Sequence, residues 1–308
     1  MPPRKPAPKN APRGARKTPA PRTLGQWLDH ALERYAQHHV AFGQVADNAH
    51  DDALLLLLRL LGLPLDSDES VLDHALTPAE TKRVQVALHR RIEQHVPTAY
   101  LIGETWLGGH RFHVDERVII PRSYFVELIP GLADLLPPGV PVRHAADLCT
   151  GSGCLALLLA HQFKKARVDA TDLSPDALDV AAINVREHRL AGRVHLHRAD
   201  VFAGVPSPKS GYDLIISNPP YEPSAHVDNQ LPEFKAEPRM AHDGGPDGLV
   251  IIRRILEQAL PRLAPHGVLL IEVGGIQKLI NRTFASLNPE WLETEDGTNC
   301  VCLFRATR

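Results

Sequence analysis

A turn with the sequence Asn-Pro-Pro-Tyr combines the groups that are needed to hold a planar amine. It consists of Asn218, Pro219, Pro220 and Tyr221. Each proline fixes its φ and has no N–H, so the turn is stiff and its carbonyl oxygens are free to face a ligand. The Asn218 side-chain oxygen and the Pro219 carbonyl can accept both hydrogens of one –NH2 group, and the Tyr221 ring offers it a flat face. An amide nitrogen held in this way is aimed at an electrophile, a use that hydride transfer does not have.

A glycine-rich turn earlier in the chain provides a second set of ligand-binding groups. Gly151 and Gly153 follow an apolar run and precede a helical pattern, where glycines let backbone N–H groups approach a ligand. Gly151, Gly153 and Ala156 also fit the dinucleotide pattern, so this turn alone leaves a dehydrogenase open. The candidate cofactor-binding residues of the turn are Asp147, Cys149, Thr150, Gly151, Ser152 and Gly153.

Acidic residues lie at the ends of successive predicted strands. A carboxylate at Asp172 can accept hydrogen bonds from both hydroxyls of a ribose, and Asp200 with Val201 can frame an adenine edge. One such acid alone is more often a solvated strand end, but Asp147, Asp172 and Asp200 in register predict a nucleoside pocket. The amine-holding turn at 218–221 then favours group transfer to an amine over a dehydrogenase.

Alternating apolar runs and helical patterns after residue 137 must position these groups. Such alternation is typical of a parallel α/β sheet, whose strands end at one edge. Strands are predicted at 143–147, 167–172, 194–198, 213–217, 268–273 and 301–305, with a weaker one near Trp291. A helix capped by Ser174 is predicted to bury Leu178, Ala181, Ala182 and Val185, and another helix is predicted at 248–263.

The preceding part of the chain has a helical period. Residues 23–97 predict a small all-helical domain that presents the substrate: one helix from Leu24, one over 49–61, and one from a capping box at Thr77 to about His95. Residues 98–120 then predict a linker. It consists of a β-hairpin, with strands at 100–106 and 111–114 around Gly108 and Gly109. Residues 121–308 form the predicted catalytic domain.

The composition excludes several classes of protein. The 308 residues are 44% hydrophobic and 23% charged, as in an ordinary globular protein. The longest apolar stretch, 53–61, is interrupted by Arg59 and is far shorter than the roughly 20 residues of a membrane span, so no membrane contact is expected. Four cysteines without a C-x-x-C pair predict neither a disulfide scaffold nor a metal site, and they indicate a cytoplasmic protein.

Residues 1–22 differ in charge from the rest of the chain. They contain seven Lys or Arg, seven prolines, no acid, and no Leu, Ile, Val or Phe. Such a segment cannot bury enough apolar area to offset its ordering entropy, so a disordered basic tail is predicted. The tail could contact RNA weakly through phosphate attraction. The alternative is a solubilising extension with no specific role.

Together these motifs resemble the S-adenosylmethionine-dependent N5-glutamine protein methyltransferases. The resemblance covers residues 24–308. It rests on the segments 97–101, 114–118, 147–153, 218–221, 237–238 and 247–249 and on Asp172. It implies a Rossmann-like, seven-stranded class I methyltransferase domain behind a small all-helical domain and a β-hairpin linker. It also implies S-adenosylmethionine at the glycine turn and the strand-end acids, a glutamine amide at Asn218 and Pro219, and no metal.

Two short segments distinguish branches of that family. Residues 121–123, Pro-Arg-Ser, and the pair Cys149-Thr150 are similar to the branch that acts on ribosomal protein L three of the large subunit. The implied partner is that protein, free or in a pre-ribosomal particle. Three alternatives stay open: methylation of a release-factor glutamine, methylation of an exocyclic amine of a nucleic-acid base, and a non-enzymatic ribosome-assembly factor.

Overall fold

The structure is a computed structural model that describes residues 20–306. The predicted basic tail, residues 1–22, therefore lies outside the described residues except for its last three. Three helices come first: α1 (Leu24–His38), α2 (Ala49–Leu61) and α3 (Pro78–Glu93). Their apolar faces share one core, separate from the cores around the sheet, which includes Leu24, Trp27, Tyr35, Leu56, Leu57, Val84 and Leu88.

The ends of these helices lie where local sequence signals predict them. Thr23 and Thr77 begin α1 and α3 with complete capping boxes, in which the cap side chain and the third helical residue exchange hydrogen bonds. Gly62 ends α2 in the left-handed conformation at φ +69°, which costs glycine little. The three predicted helices are confirmed, and α3 ends at Glu93, just before the predicted end at His95.

The start of the linker is helical, which corrects the predicted hairpin. Helix α4 (Thr98–Ile102) includes Tyr100, which the sequence had placed in a strand. Gly103 ends this turn at φ +73°, and its N–H donates to the Ala99 carbonyl. The hairpin itself is shorter than predicted and consists of β1 (Glu104–Leu107) and β2 (His110–His113). Leu101 and Ile102 pack onto the helical unit, whereas Ala99 and Tyr100 pack with Val118 and Ile120 of the linker, and a single helical turn satisfies the backbone there.

A seven-stranded sheet occupies the centre of the C-terminal part. Its strands are β3 (His144–Leu148), β4 (Arg167–Asp172), β5 (Val194–Arg198), β6 (Tyr212–Ser217), β7 (Leu263–Glu272), β8 (Glu290–Leu292) and β9 (Val301–Arg305). The order is β5-β4-β3-β6-β7-β9-β8. The first five strands in this order are parallel, whereas β9 runs antiparallel to both β7 and β8. All strands predicted for this sheet are confirmed, including the one near Trp291, although β7 begins at Leu263.

Helices cover both faces of this sheet. Helices α5 (Phe125–Leu128), α6 (Cys154–Gln162) and α7 (Pro175–Glu187) pack on one face, and α10 (Val250–Ala259) and α11 (Gln277–Thr283) pack on the other. Two short helices, α8 (Ser224–Asp228) and α9 (Pro232–Lys235), lie beside the carboxyl ends of the strands. The predicted inner face of α7 is wrong by part of a turn, because Leu178 and Ala182 are only half-buried. Its buried residues are Ala177, Val180, Ala181, Asn184 and Val185. Helix α10 is shorter than the predicted 248–263, because Pro261 cannot supply the N–H of a further α-helical turn.

The two faces of the sheet belong to separate cores. Ala145 of β3 packs on the side of α6, and its neighbours Ala146 and Leu148 pack on the side of α10. Because the central parallel strands are covered on both faces, the polar groups that a ligand can reach lie mainly at the strand ends. Within residues 20–306, no helix has both the length and the apolar character that crossing a membrane requires.

Candidate active site

A cleft of about 860 Å³ lies beyond the carboxyl ends of β3, β4, β5 and β6. This volume is in the range of sites that bind a cofactor-sized molecule, and its position is where open α/β sheets bind ligands. The predicted site residues on its wall are Cys149, Thr150, Gly151, Ser152, Asp172, Asp200, Val201, Asn218, Pro219, Pro220 and Tyr221. Segments that are far apart in the sequence therefore meet in one cleft.

Two of the predicted cofactor-binding residues, Asp147 and Gly153, lie behind the wall. The Asp147 carboxylate is buried and accepts hydrogen bonds from the Thr150 hydroxyl and from the Ala156 N–H at 3.0 Å. Burial raises the pKa of Asp147 to about 7. Gly153 has φ +80°, and a Cβ on it would lie 3.2 Å from the Ala181 Cβ. The hydrogen bonds of Asp147 hold the turn in its conformation, and Gly153 allows the turn to pack closely against α7.

Backbone N–H groups and the Asp172 carboxylate form the wall beside the glycine turn. Asp172 accepts a hydrogen bond from Gly151 N–H at 2.9 Å through Oδ2 and one from Ser174 N–H at 2.9 Å through Oδ1. Burial raises the pKa of this carboxyl above its usual range. A carboxylate has about four acceptor sites, so further sites remain for the two hydroxyls of a ribose.

Two non-glycine residues on this wall have left-handed backbone. Cys149 has φ +58° and Val201 has φ +59°. The conformation is a true outlier for β-branched valine, and such residues cost on the order of 1–3 kcal/mol each and cluster at ligand sites. Asp200, next to Val201, is half-exposed and pairs with Arg254 of α10 at 3.0 Å. The fold therefore maintains a strained backbone where the sequence predicted the adenine.

The Asn218 carboxamide is held in one orientation. Its Nδ2 donates to Glu272 Oε1 at 3.1 Å and to the Arg122 carbonyl at 3.4 Å. Two oxygens beside the same atom require the –NH2 group there, which fixes the amide orientation. Among the contacts of the described residues, Oδ1 is left as the acceptor that the amine-holding interpretation needs.

Glu272 is a functional candidate that the sequence analysis missed. Besides Asn218, it accepts hydrogen bonds from the Ser123 hydroxyl at 2.5 Å and from Tyr124 N–H at 3.1 Å. Burial raises the pKa of Glu272 to about 7, although these hydrogen bonds oppose the shift. The sequence contains a pattern that could have identified Glu272, because this acid ends β7 just as Asp172 ends β4. The predicted strand ran one residue further, to Val273, and concealed that position.

A second buried carboxylate, Glu237, holds the segment beside Asn218. Arg122 donates to both of its oxygens at 2.7 Å, and the Ile120 N–H and the His242 ring bond the same carboxylate at 3.1 and 2.8 Å. Burial opposes ionisation, but the bonds from Arg122 and His242 outweigh it and lower the pKa of Glu237 to about 2. The Arg122 carbonyl that fixes Asn218 is therefore anchored by an ion pair between the half-buried Arg122 side chain and the buried Glu237 carboxylate.

Three glycines pack directly against the turn at 218–221. A Cβ on Gly274 would lie 2.6 Å from the Tyr221 ring, and a Cβ on Gly244 would lie 2.8 Å from the Pro220 carbonyl oxygen. A Cβ on Gly248 would lie 2.3 Å from the Tyr221 carbonyl oxygen. Contacts this close exclude any larger side chain. These glycines therefore let their segments approach the turn at 218–221 and determine its position in the cleft.

The outer rim of the cleft is apolar. Residues 20–306 contain five large apolar side chains that are strongly exposed, and three of them, Leu173, Leu231 and Met240, line this cleft. Leu231 is 57% exposed and Met240 is 49% exposed. Exposed apolar groups gathered around a pocket are typical of a surface that binds another protein.

Known sequences are similar to this chain over most of its length. The family model described as "Methyltransferase small domain" matches residues 132–235. A ribosomal protein uL3 glutamine methyltransferase of Burkholderia pseudomallei is 42% identical over 94% of this chain and 97% of its own length. Proteins of the same name from Bordetella pertussis and Neisseria meningitidis are each 43% identical over 91% of this chain and 94% and 92% of their own lengths.

Solved structures support the fold alone. The hMettl16 catalytic domain in complex with MAT2A 3′UTR hairpin 1 has a TM-score of 0.51 and 13% identity, and covers 92% of this chain and 91% of its own. The same domain in complex with hairpin 6 of that 3′UTR has a TM-score of 0.50 and 15% identity, over 75% of this chain and 83% of its own. The sequence comparisons, in contrast, extend along almost the whole chain.

Proposed function

This chain belongs to the family of ribosomal protein uL3 glutamine methyltransferases, and on that premise we propose that it methylates the side-chain amide nitrogen of a glutamine in ribosomal protein uL3. The observation that carries the proposal is the fixed orientation of Asn218. Its Nδ2 is bound by Glu272 and by the Arg122 carbonyl, so its Oδ1 and the Pro219 carbonyl are the acceptors for an incoming amide. Both residues line the cleft.

The wall beside the glycine turn fits S-adenosylmethionine. The turn admits a ligand closely at Gly151, which has no side chain and lies at φ +55°, a conformation that other residues rarely adopt. Asp172 has spare acceptor sites for the ribose hydroxyls, and the backbone at Asp200 and Val201 would border the adenine. When bound, this cofactor supplies an electrophilic methyl group on a sulfonium sulfur. We assign cofactor binding to these residues and to Cys149, Thr150 and Ser152.

The opposite wall holds and orients the glutamine amide that accepts the methyl group. Asn218 Oδ1 and the Pro219 carbonyl would hold both amide hydrogens, and the Tyr221 ring would keep the amide plane fixed. Alignment of two reactants in this way contributes up to roughly 7–11 kcal/mol in well-oriented systems. The amide nitrogen becomes acidic once it gains a methyl group, so water can take its proton. No histidine of the chain is assigned a catalytic role.

A protein substrate fits the surroundings of this site better than a nucleic acid does. The cleft rim presents Leu173, Leu231 and Met240, which suit an apolar peptide surface. Outside residues 1–22, acidic residues outnumber Lys and Arg, which disfavours phosphate backbones. We further propose that residues 23–97 present the substrate, that 98–120 form the linker and 121–308 the catalytic domain, and that the enzyme works in the cytoplasm.

Incubation with labelled cofactor tests this proposal. Purified uL3, release factors and ribosomal RNA are each offered to the enzyme, and the label is mapped by mass spectrometry. We expect label on one glutamine of uL3. Label on a release factor would favour the first alternative, and label on RNA the second. No transfer, together with no cofactor binding by calorimetry, would favour an assembly factor.

A further inference from the structure

Three histidines from separate elements meet on the side of the hairpin. His110 begins β2, His161 lies in the last turn of α6, and His188 follows the last residue of α7. One ring nitrogen of each lies within 4.8 Å of the others, and all three side chains are half-buried. None of them lines the cleft described above. The group therefore has no part in the proposed methyl transfer.

The His188 ring is oriented by a backbone bond. Its Nε2 lies 2.8 Å from the Arg111 carbonyl oxygen, which can only accept, so Nε2 carries the proton. The lone pair on Nδ1 then points toward His161 Nε2, which is 3.0 Å away. Metal-binding histidines are typically fixed by such a bond from the second ring nitrogen to a carbonyl.

The spacing of the two nitrogens suits a shared metal. Zinc–nitrogen bonds of about 2.0–2.1 Å at a tetrahedral angle place two nitrogens roughly 3.3–3.4 Å apart. The observed 3.0 Å between His161 and His188 needs an expansion of only a few tenths of an ångström. The His110 ring stacks on that of His161, with centroids 4.3 Å apart, so the His110 side chain has to turn before its nitrogen can join the other two at a metal.

The surroundings of His110 and His161 favour their neutral forms, and the donor atoms of the group select the type of metal. Burial, and then the neighbouring histidines, lower the pKa of His161 to about 4, and burial and His188 lower the pKa of His110. The charged groups nearby are Lys164, Arg193, and Arg111 paired with Glu187. The group contains no carboxylate, so it lacks the oxygen ligands that magnesium and calcium require.

We propose that His110, His161 and His188 bind one Zn²⁺ or a similar divalent transition metal, which ties the hairpin to α6 and α7. Binding replaces the proton on His161 Nε2, and that ring takes up a proton on Nδ1, so it stays a neutral ligand with no net release of protons. Water completes the coordination. The absence of a C-x-x-C pair predicted no metal site. These three histidine ligands come from distant segments and form no local motif. The metal would act on stability and not on the methyl-transfer chemistry.

Hydrogen bonds of Asn184, close to the three histidines, connect the hairpin to the glycine turn of the cleft. Asn184 of α7 accepts from His113 N–H at 2.7 Å and donates to the His113 and Ser152 carbonyls at 3.0 and 2.8 Å. Helix α7 therefore already connects the hairpin to the glycine turn. A metal at His188, one turn further along, would reinforce the same connection.

Titration of untagged, chelator-treated full-length protein with ZnCl2 tests the site. We expect calorimetry to give one tight equivalent, at least tenfold weaker in His161→Ala, and unchanged in His50→Ala, which alters an exposed histidine of α2. The melting temperature should rise with Zn²⁺ in the wild type and in His50→Ala but not in His161→Ala. MgCl2 should have no effect.

Equal zinc affinity in the wild type and His161→Ala would overturn the proposal, as would the absence of a tight equivalent. If His161→Ala does not fold, His110→Ala is the replacement, because His110 is a half-buried residue at a strand start. It should weaken zinc binding by a similar factor. X-ray absorption of the zinc complex should show nitrogen and oxygen neighbours only, and a sulfur neighbour would contradict the assignment.

Discussion

The two walls of the cleft differ in whether backbone groups or side chains form them. The wall at the glycine turn consists mainly of backbone, with a glycine at positive φ and left-handed residues at Cys149 and Val201, and the Asp172 carboxylate is its main polar side chain. The wall at Asn218 consists of side chains held by other buried side chains, with Glu272 bonded directly to its carboxamide. The first wall only has to fit a ligand, whereas the second has to orient one reacting nitrogen.

This difference predicts separable effects of substitution. Each contact on the backbone wall adds part of the affinity for a large ligand, so the loss of one contact weakens binding. On the opposite wall a single carboxamide determines the direction of the nucleophile, so its loss affects turnover. The following substitutions test that separation, from the largest expected effect to the smallest.

Asn218→Ala should have the largest effect. We expect turnover to fall by about 10²–10³, the range seen when one preorganised polar group is removed from a reaction centre. Cofactor affinity should change by a much smaller factor, because Asn218 only borders that wall. Single-turnover rates and calorimetry measure the two quantities. Asn229→Ala, also in the cleft, is the matched control. Near-normal turnover in Asn218→Ala would refute the assigned role.

Asp172→Ala should act on affinity instead. A hydrogen bond to a charged group is worth on the order of 1.5–3 kcal/mol, so cofactor binding should weaken by roughly 10- to 150-fold. Turnover at saturating cofactor should change little. Asp176→Ala, in the first turn of α7 and exposed, should bind normally. If calorimetry found unchanged affinity in Asp172→Ala, the ribose would have to bind elsewhere.

Glu272 should make turnover depend on pH. Its ionised carboxylate accepts all three hydrogen bonds, and protonation near pH 7 removes acceptor capacity beside Asn218. The wild-type rate should therefore fall about tenfold between pH 8 and pH 6. Glu272→Gln should be slower at pH 8 and should lose this inflection. An inflection that persists in the variant would assign it to another group.

The same pKa predicts the opposite trend for stability. The folded-state pKa of Glu272, about 7, lies above its ordinary value of 4.5, so protonation favours the folded state. That contribution is complete below pH 4.5 and is lost as pH rises through 7. Glu272→Gln should therefore gain stability relative to the wild type between pH 5 and pH 8. Denaturant unfolding at both pH values measures the difference.

Removal of residues 1–19 should have the smallest effect. The truncation stops before Arg22, whose carbonyl accepts from Leu76 N–H at 2.9 Å, so fold and cofactor affinity should be unchanged. Rates on isolated uL3 should be nearly equal for both lengths. Binding to pre-ribosomal particles should weaken at low salt, and the loss should shrink as salt rises. Equal binding at low salt would make the tail a passive extension.

Local patterns in the sequence determined the elements and much of the cleft wall. Apolar period, caps and glycines predicted α1, α2, α3 and every strand of the sheet, because these signals act over a few residues. The amine-holding turn and the strand-end acids also followed, because parallel strands bring their carboxyl ends to one edge. Asp147 and Gly153 came from the same pattern, but the structure places them behind the wall.

Only the tertiary structure decided what supports that wall. Glu272 meets Asn218 across 54 residues of chain, and Glu237 meets Arg122 across 115. No periodic or spacing signal encodes such pairs, because they depend on which strands become neighbours. The left-handed backbone at Val201 runs against its local preference and is imposed by packing. The three histidines also meet only after the hairpin folds onto α6 and α7, since each contributes a single side chain without a local motif.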